Sequence, residues 1–242
     1  MKCNEINNDP LTCNKIINTC EKIIMESGIL SFSHTKVLQE NICSSRKFYE
    51  YFKSREEIVI CILLRRTITF DIERFLEDNQ DLPVIAKLFV PILITLEVIR
   101  IDPVYQKIAL TARNIGLWQV AHEDKQKRLN EAEHRFIKVI KHVVDLSIEN
   151  KDIEADCSDQ LTHNLYFYNL GRIMASGSII SQGKKNSELE MTQAKRLLGI
   201  TDNYRLKDNI SPELLIRLNK KIVKYFGGKR EINCERCMYF KK

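Results

Sequence analysis

Apolar residues recur three or four positions apart along most of the chain, which is the spacing of an amphipathic helix. The first such stretch is 12–27, and Gly28 follows it where a left-handed residue commonly ends a helix. A second, short helix is predicted at about 34–41, with Ser33 as its N-cap. A third begins after the N-cap residue Ser44. The N-terminal part of the chain is therefore expected to form three helices, the last two separated by a tight turn.

The rest of the chain also has helical periodicity. A long helix is predicted at about 55–79, because Ser54 and Glu57 match a capping box at its start. A segment that opens at Pro83 is expected to be bent or interrupted at Pro91. Further helices are predicted at 102–122, 123–150, 158–182, 187–198 and 211–226. With only 8 Gly and 5 Pro in 242 residues, the chain has few turn residues for a sandwich or barrel, and the predicted fold class is all-α.

Composition is that of an ordinary globular protein, but the charge is unevenly distributed. Hydrophobic residues make up 44% of the chain and charged residues 29%. The net charge of +6 divides into +2 for residues 1–55, −4 for 56–183 and +8 for 184–242. Basic ends suit a polyanionic partner, and a solvated basic face is the alternative interpretation.

The sequence favours a cytoplasmic protein without a membrane partner. Its polar N-terminus lacks the apolar core of a secretory signal. The longest apolar runs, Ile58–Leu64 and Leu88–Leu96, are shorter than the roughly 20 residues of a membrane span. Its eight cysteines are therefore expected to be reduced thiols.

The most informative stretch is 33–58, SHTKVLQENICSSRKFYEYFKSREEI. It resembles the DNA-binding segment of TetR/AcrR-type bacterial transcriptional regulators, most specifically in FYEYFKSREEI at 48–58. The resemblance implies a three-helix, helix-turn-helix DNA-binding head, joined by a linking helix to a larger helical ligand-binding and dimerisation domain. The corresponding boundaries are 1–55 for the DNA-binding domain, 56–226 for the regulatory and dimerisation domain, and 227–242 for a basic C-terminal tail.

The third helix has the residues that a recognition helix in the major groove requires. Phe48 and Phe52 supply an apolar back, and polar residues supply the front. Lys53 and Arg55 follow the helix, where they are placed to reach backbone phosphate. By resemblance, nine residues contact DNA: His34, Thr35, Ser44, Ser45, Arg46, Lys47, Tyr49, Tyr51 and Arg55. Lys53 is the tenth candidate, by its place just after the helix. Among them, Arg46 and Lys47 occupy the positions that read base edges.

Four residues depart from the pattern of this family. Ile42 stands in the turn where most members have Gly, so the turn is expected to close differently or to carry strain. Cys43 replaces the usual Val, and Arg46 replaces a small residue. Glu50 introduces a negative charge where the family often has His or another residue compatible with DNA.

The resemblance implies sequence-specific transcriptional regulation, usually as a repressor, with operator affinity modulated by a small-molecule effector. Two heads of a homodimer are expected to bind a palindromic operator in double-stranded DNA. Helices 123–150 and 158–182 are assigned to the dimer interface, with close packing inside one subunit as the alternative. Candidate ligand-pocket residues are Tyr105, Arg113, Trp118, Phe136, His163 and Tyr166, a mixture that ordinary core and surface positions also provide.

A second function of a different class fits the same segment. The chain would then be a DNA-binding module that acts through a protein partner or in nucleoid structure, without small-molecule control. The basic segment 184–242 would be its contact surface.

No motif indicates an enzyme, a cofactor or a metal site. The sequence has no Gly-rich phosphate loop, no nucleophile elbow and no carboxylate pair typical of a hydrolase. Cys234 and Cys237 form a CxxC pair without the second pair that a zinc site needs, which leaves two ordinary thiols or a redox sensor. His134 and His142 lie too far apart on one helix to share a metal ion.

Overall fold

The computed structural model describes residues 10–155, 157–176, 204–206, 211–232 and 236, and most of them are helical. The helices are α1 (Pro10–Ser27), α2 (His34–Gln39), α3 (Ser45–Tyr51), α4 (Arg55–Arg65), α5 (Ile68–Asp78), α6 (Val84–Lys87), α7 (Val90–Ile101), α8 (Pro103–Ala112), α9 (Ile115–Val120), α10 (Glu123–Glu149), α11 (Ser158–Ser176) and α12 (Pro212–Phe226). The predicted all-α class is confirmed.

Two short strands, β1 (Ile153–Ala155) and β2 (Tyr204–Leu206), form an antiparallel pair that the helical periodicity did not predict. Glu154 lies opposite Arg205 in the register of this pair. Three residues are too few for the alternation of a strand to be recognised in the sequence.

The predicted serine caps are confirmed at the starts of three helices. Ser33, Ser44 and Ser54 each accept a hydrogen bond from the backbone N–H three residues later, at 3.4, 3.2 and 3.2 Å. The capping box at α4 differs from the prediction in its second half. The carboxylate of Glu57 accepts from the backbone N–H of Lys53 at 3.0 Å rather than from that of the cap residue.

The turn between α2 and α3 closes one residue earlier than the family pattern implies. Asn41, not Ile42, has the left-handed conformation, with a φ of 53°. Asn tolerates this region better than a β-branched residue does, because its short polar side chain bonds locally. α2 consequently ends at Gln39, and Ile42 avoids the strain that a positive φ would impose on it. Gly28, with a φ of 78°, ends α1 as predicted.

The single helix predicted at 55–79 is wrong, since the chain breaks between α4 and α5 at Arg66 and Thr67. The N–H of Arg66 bonds to the carbonyl of Leu63 at 2.8 Å, which tightens the last turn of α4. The carbonyl of Thr67 accepts from the side chain of Arg236 at 3.0 Å instead of continuing a helix. The break was not recognised in the sequence, because apolar residues recur at helical spacing on both sides of it.

Other breaks between helices occur at residues that cap or end helices. The predicted helix at 102–122 is divided into α8, capped by Asp102, and α9, capped by Asn114. The interruption predicted near Pro91 is confirmed, and Pro91 lies in the first turn of α7. Gly227, with a φ of 55°, ends α12 directly after the last residue of the predicted range 211–226.

The chain divides into two compact units. Unit 1 takes its described residues from 1–67, 102–133 and 231–242, and unit 2 from 68–101 and 134–230. In unit 1, α4 packs against α1, α8 and α9, and α2 packs against α1. In unit 2, α7 packs against α5, α11 and α12. A division by packing does not test the functional boundaries expected after residues 55 and 226, which stay predictions.

Several expectations lie outside the described residues. These are the helix predicted at 187–198, the end of the helix predicted at 158–182, and the pair Cys234 and Cys237. None of the described helices is long and apolar enough to cross a lipid bilayer.

Candidate nucleic-acid interface

The back of α3 is anchored in the core of unit 1 by aromatic residues. Phe48 and Phe52 are completely buried, and their ring centres lie 6.1 Å apart. His34 of α2 contacts Phe48 edge-on, with ring centres 5.2 Å apart. Val37 of α2 is also buried. These contacts fix the rotation of α3 about its axis, and therefore fix which side chains it presents outward.

The opposite side of α3 is open to solvent. The side chain of Arg46 is 92% exposed, and Tyr49 is 48% exposed. Four more predicted DNA-contact residues are exposed around this face: Thr35, Ser44, Ser45 and Lys53. The arrangement combines cationic, hydroxyl and aromatic groups on one short helix and the residues next to it.

The other four predicted contact residues are half-buried: His34, Lys47, Tyr51 and Arg55. The ring of His34 lies against Tyr49, with centres 5.7 Å apart, and its Nε2 atom is buried. Arg55 donates from Nη1 to the carbonyl of Phe32 at 3.4 Å. These side chains therefore border the exposed face and support it, whereas Arg46 and Tyr49 form its centre.

Glu50 completes the exposed face with a negative charge. Its Oε1 atom lies 3.4 Å from Nε of Arg46, one helical turn away, and its side chain is 41% exposed. Glu50 was expected to be unusual on this helix, but its pairing with Arg46 was not predicted. The spacing of four residues between opposite charges on a helix was the signal that could have found the pair.

Glu57 connects the end of α3 to a more distant part of unit 1. Its carboxylate is buried and accepts two backbone hydrogen bonds, from Lys53 at 3.0 Å and from His122 at 3.3 Å. The first bond holds the segment after α3, and the second holds the residue before α10. Only the capping role of Glu57 was predictable from the sequence, because its second partner, His122, lies far along the chain.

A buried ionic cluster lies at the end of α4. Arg66 donates to both carboxylate oxygens of Glu21 in α1, at 3.1 and 2.6 Å. It also donates to Asp102, the cap of α8, at 2.6 Å. Burial alone would lower the pKa of Arg66, but the hydrogen bonds and charges of the two carboxylates outweigh it and hold the pKa above its ordinary value. The cluster therefore ties α1, α4 and α8 together.

The neighbouring Arg65 makes fewer hydrogen bonds to side chains than Arg66 does. Arg65 is fully buried, and its Nη2 donates to Asn18 at 2.9 Å. Its Nη1 lies 3.9 Å from Glu21. Buried Cys20 lies beside this cluster in α1, and burial raises the pKa of its thiol.

The six predicted ligand-pocket residues divide between the units. In unit 1, Tyr105 is buried, Arg113 is paired with Glu133 at 2.9 Å, and Trp118 donates to the carbonyl of Gln126 at 3.4 Å. In unit 2, the rings of Phe136 and Tyr166 lie 5.8 Å apart. His163 is exposed on α11, with Nδ1 2.8 Å from the carbonyl oxygen of Asp159.

One side of α11 in unit 2 presents apolar and small residues to solvent. Phe167 is 61% exposed and Met174 is 44% exposed, and Gly171 and Ala175 are exposed beside them. The four positions follow the i, i+4, i+7, i+8 spacing of one helix face.

Cys20, Cys43 and Cys157 have free thiols. Burial raises the pKa of Cys43, which favours the thiol form at the start of the segment that leads into α3. Within the described part of the chain, no three His, Cys, Asp or Glu side chains lie close enough to hold a metal ion.

Comparison with protein-family models, with curated proteins and with solved structures found no match. What the exposed face of α3 does is therefore inferred from its own residues and their geometry.

Proposed function

We propose that this chain is a DNA-binding transcriptional regulator in which α2 and α3 form a helix-turn-helix and α3 enters the major groove. The observation that carries this proposal is the division of α3 into two sides. Arg46 and Tyr49 face solvent, while Phe48 and Phe52 are buried behind them. A helix with this division can place its polar side against base edges without losing its attachment to the core.

The charge around α3 supports the same proposal. Within residues 42–55 there are four basic side chains and one acidic side chain. The exposed hydroxyl groups of Thr35, Ser44 and Ser45 are of the kind that bind phosphate oxygens, and Lys53 adds a cation beside them. Phosphate contacts of this kind position a protein on the duplex, and base contacts from α3 then supply sequence preference.

A mobility-shift series with the full-length protein and a random pool of duplex DNA tests this function. We expect sequence-preferring binding that weakens as salt rises, because each phosphate contact releases counterions. Arg46→Ala should lower the affinity roughly tenfold or more. Lys127→Ala removes a similarly exposed charge from α10 and should leave the affinity unchanged. Binding without sequence preference, or an equal loss in both variants, contradicts the proposal.

The regulator is proposed to act as a homodimer. The exposed apolar face of α11 supports this, because large side chains such as Phe167 are costly to leave in water and commonly mark interfaces. Sedimentation of the wild type should show a dimer, and Phe167→Glu combined with Met174→Glu should shift it to a monomer. Ile216→Glu changes an exposed apolar residue of α12 and is the control. A monomeric wild type would remove dimerisation from the proposal.

Control by a small-molecule effector is the remaining part of the proposed function. The contact between Phe136 and half-buried Tyr166 supports it, since paired aromatic side chains commonly line pockets in helical bundles. A compound library screened for release of bound DNA should identify an effector of the wild type, and Tyr166→Leu should weaken the response. Failure of every compound to release DNA would favour the second function below.

The second candidate is a DNA-binding module that needs no effector and uses its basic C-terminal part as a further contact. The exposed side of α12 favours it, because Arg217, Lys220 and Lys224 lie there together. Reversal of two charges, Lys220→Glu with Lys224→Glu, should weaken DNA binding if this face takes part. Unchanged affinity would exclude a contribution from α12.

A further inference from the structure

We propose that Arg46 and Glu50 act together to read a G·C base pair in the major groove, with Arg46 binding guanine and Glu50 positioning the guanidinium. This inference rests on the proposed DNA-binding function and adds a base preference to it. Its starting observation is that the exposed face of a proposed recognition helix carries a carboxylate, whose charge by itself opposes binding to a polyanion.

The geometry of the pair leaves the Nη1 and Nη2 groups of Arg46 available to a base. Glu50 lies 3.4 Å from Nε of Arg46, so the carboxylate faces the inner N–H of the guanidinium. The Nη1 and Nη2 groups remain at the outer edge of a side chain that is 92% exposed. Guanine presents two acceptors to the major groove, O6 and N7, at the spacing of that outer edge.

The chemistry of the complementary base supports the same assignment. Cytosine presents an amino donor in the major groove, and a carboxylate is its usual protein acceptor. A G·C pair is therefore compatible with both members of the Arg46–Glu50 pair. An A·T pair would offer Arg46 only one acceptor on its adenine, and would place the thymine O4 acceptor near the carboxylate.

The consequence for specificity follows from how each charge acts. The negative charge of Glu50 weakens binding to every phosphate backbone alike, whatever its sequence. An arginine held in one orientation strengthens binding to one base pair, because less side-chain freedom is lost when the contact forms. Glu50 is thus a positioning residue. It lowers the affinity for DNA of any sequence and raises the preference for one base pair.

The test selects duplexes that the full-length wild type binds, and then measures affinities for the selected site with single changes. We expect one G·C pair in each half-site whose replacement by A·T costs roughly tenfold or more in affinity. Substitution of that guanine by 7-deazaguanine, which lacks the N7 acceptor, should cost a similar amount. Inosine, which keeps O6 and N7, should bind almost as well as guanine.

Two variants separate the base contact of Arg46 from the positioning role of Glu50. Arg46→Lys should weaken the preference for this G·C pair, since lysine lacks the rigid planar fork that matches both acceptors of guanine. Glu50→Gln should reduce the preference several-fold while raising the affinity for unrelated duplexes. The matched control is Glu131→Gln, which alters an exposed pair of the same spacing in α10. The preference is a ratio of affinities, so a loss of folded protein does not change it.

Three results would overturn different parts of this inference. Preservation of the preference in Glu50→Gln overturns the positioning role. A selected site with no G·C pair that depends on Arg46 overturns the base assignment, while DNA binding itself remains supported. A wild type that binds no duplex with sequence preference overturns the inference together with the proposed function.

Discussion

Unit 1 contains two groupings of arginine and carboxylate that differ mainly in their surroundings. Arg46 and Glu50 face each other across 3.4 Å at the surface, with side chains 92% and 41% exposed. Arg66 is buried and shares its donors between Glu21 and Asp102, with closest distances of 2.6 Å. The exposed pair can open at little cost, because water replaces each partner. The buried group cannot, because opening it leaves buried carboxylates without their closest counter-charge.

The comparison explains how similar side chains can perform different tasks. The outer Nη1 and Nη2 groups of exposed Arg46 stay available to a base or a phosphate while Glu50 lies at its Nε, as the proposed recognition requires. An arginine that the core surrounds holds its partners permanently, and three helices are joined through it. Exposure, rather than the identity of the ion pair, therefore separates the proposed recognition role of Arg46 from the structural role of Arg66.

The largest expected effect comes from removing the buried cation. Arg66→Met leaves Glu21 and Asp102 buried without their main partner and should lower the free energy of unfolding by about 3–5 kcal/mol. Arg65→Met is the matched control, since it makes the same change one residue away. Among the described residues the side chain of Arg65 makes one hydrogen bond, to exposed Asn18, and its loss should cost about 1 kcal/mol. Urea denaturation measures both, and equal losses would contradict the role of Arg66.

A smaller effect is expected when one carboxylate of the cluster is neutralised. Asp102→Asn keeps an oxygen that can accept from the N–H of Tyr105, and loses the charge opposite Arg66. The free energy of unfolding should fall by about 2 kcal/mol, since a buried hydrogen bond to a charged group is weakened. Asp102→Ala also removes the helix cap and should cost about 1 kcal/mol more. If the two variants have equal stability, the cap contributes nothing.

Breaking the exposed pair should hardly change stability. Arg46→Ala is expected to change the free energy of unfolding by less than about 0.5 kcal/mol, as is typical of exposed pairs one helical turn apart. The same variant is expected to lose DNA affinity, so stability and binding should separate at this residue. A destabilisation comparable to that of Asp102→Asn would show that Arg46 has a structural role.

The smallest effect is the response of the two groupings to salt. A double-mutant cycle on Arg46 and Glu50 should give a coupling of about 0.3 kcal/mol at low salt. It should vanish near ~1 M salt, where the screening length is ~3 Å. The corresponding cycle on Arg66 and Asp102 should keep most of its coupling, because buried charges are screened much less. Equal salt dependence in the two cycles would contradict the difference in burial between the two groupings.

Local features of the fold were predictable from the sequence because their causes are local. Ser33, Ser44 and Ser54 cap helices through bonds that reach only three residues ahead, so short sequence patterns identify them. The break after Arg66 was missed, because apolar residues continue at helical spacing on both sides of it. Left-handed Asn41 was likewise missed, since the expectation followed the position of a family glycine rather than the tolerance of Asn for that conformation.

Parts of the candidate interface were predictable to a similar extent. The exposed side of Arg46 and Tyr49 follows from the spacing of Phe48 and Phe52, which must face the core. The half-buried state of Arg55 was not predictable, because its partner is the carbonyl of a residue in a separate loop. Buried ionic contacts such as those of Arg66 join segments far apart in sequence, and periodicity carries no information about such pairs.

The two bonds of Glu57 restrict which amino acid that position can hold. Both of its oxygens receive an N–H, one from Lys53 and one from His122, so the site requires two acceptors on one side chain. Glutamine offers one acceptor and would turn its amino group toward the second N–H, and aspartate is one methylene shorter. Glu57 therefore links the segment after α3 to the segment before α10 through a single side chain, so displacement of one segment is expected to displace the other.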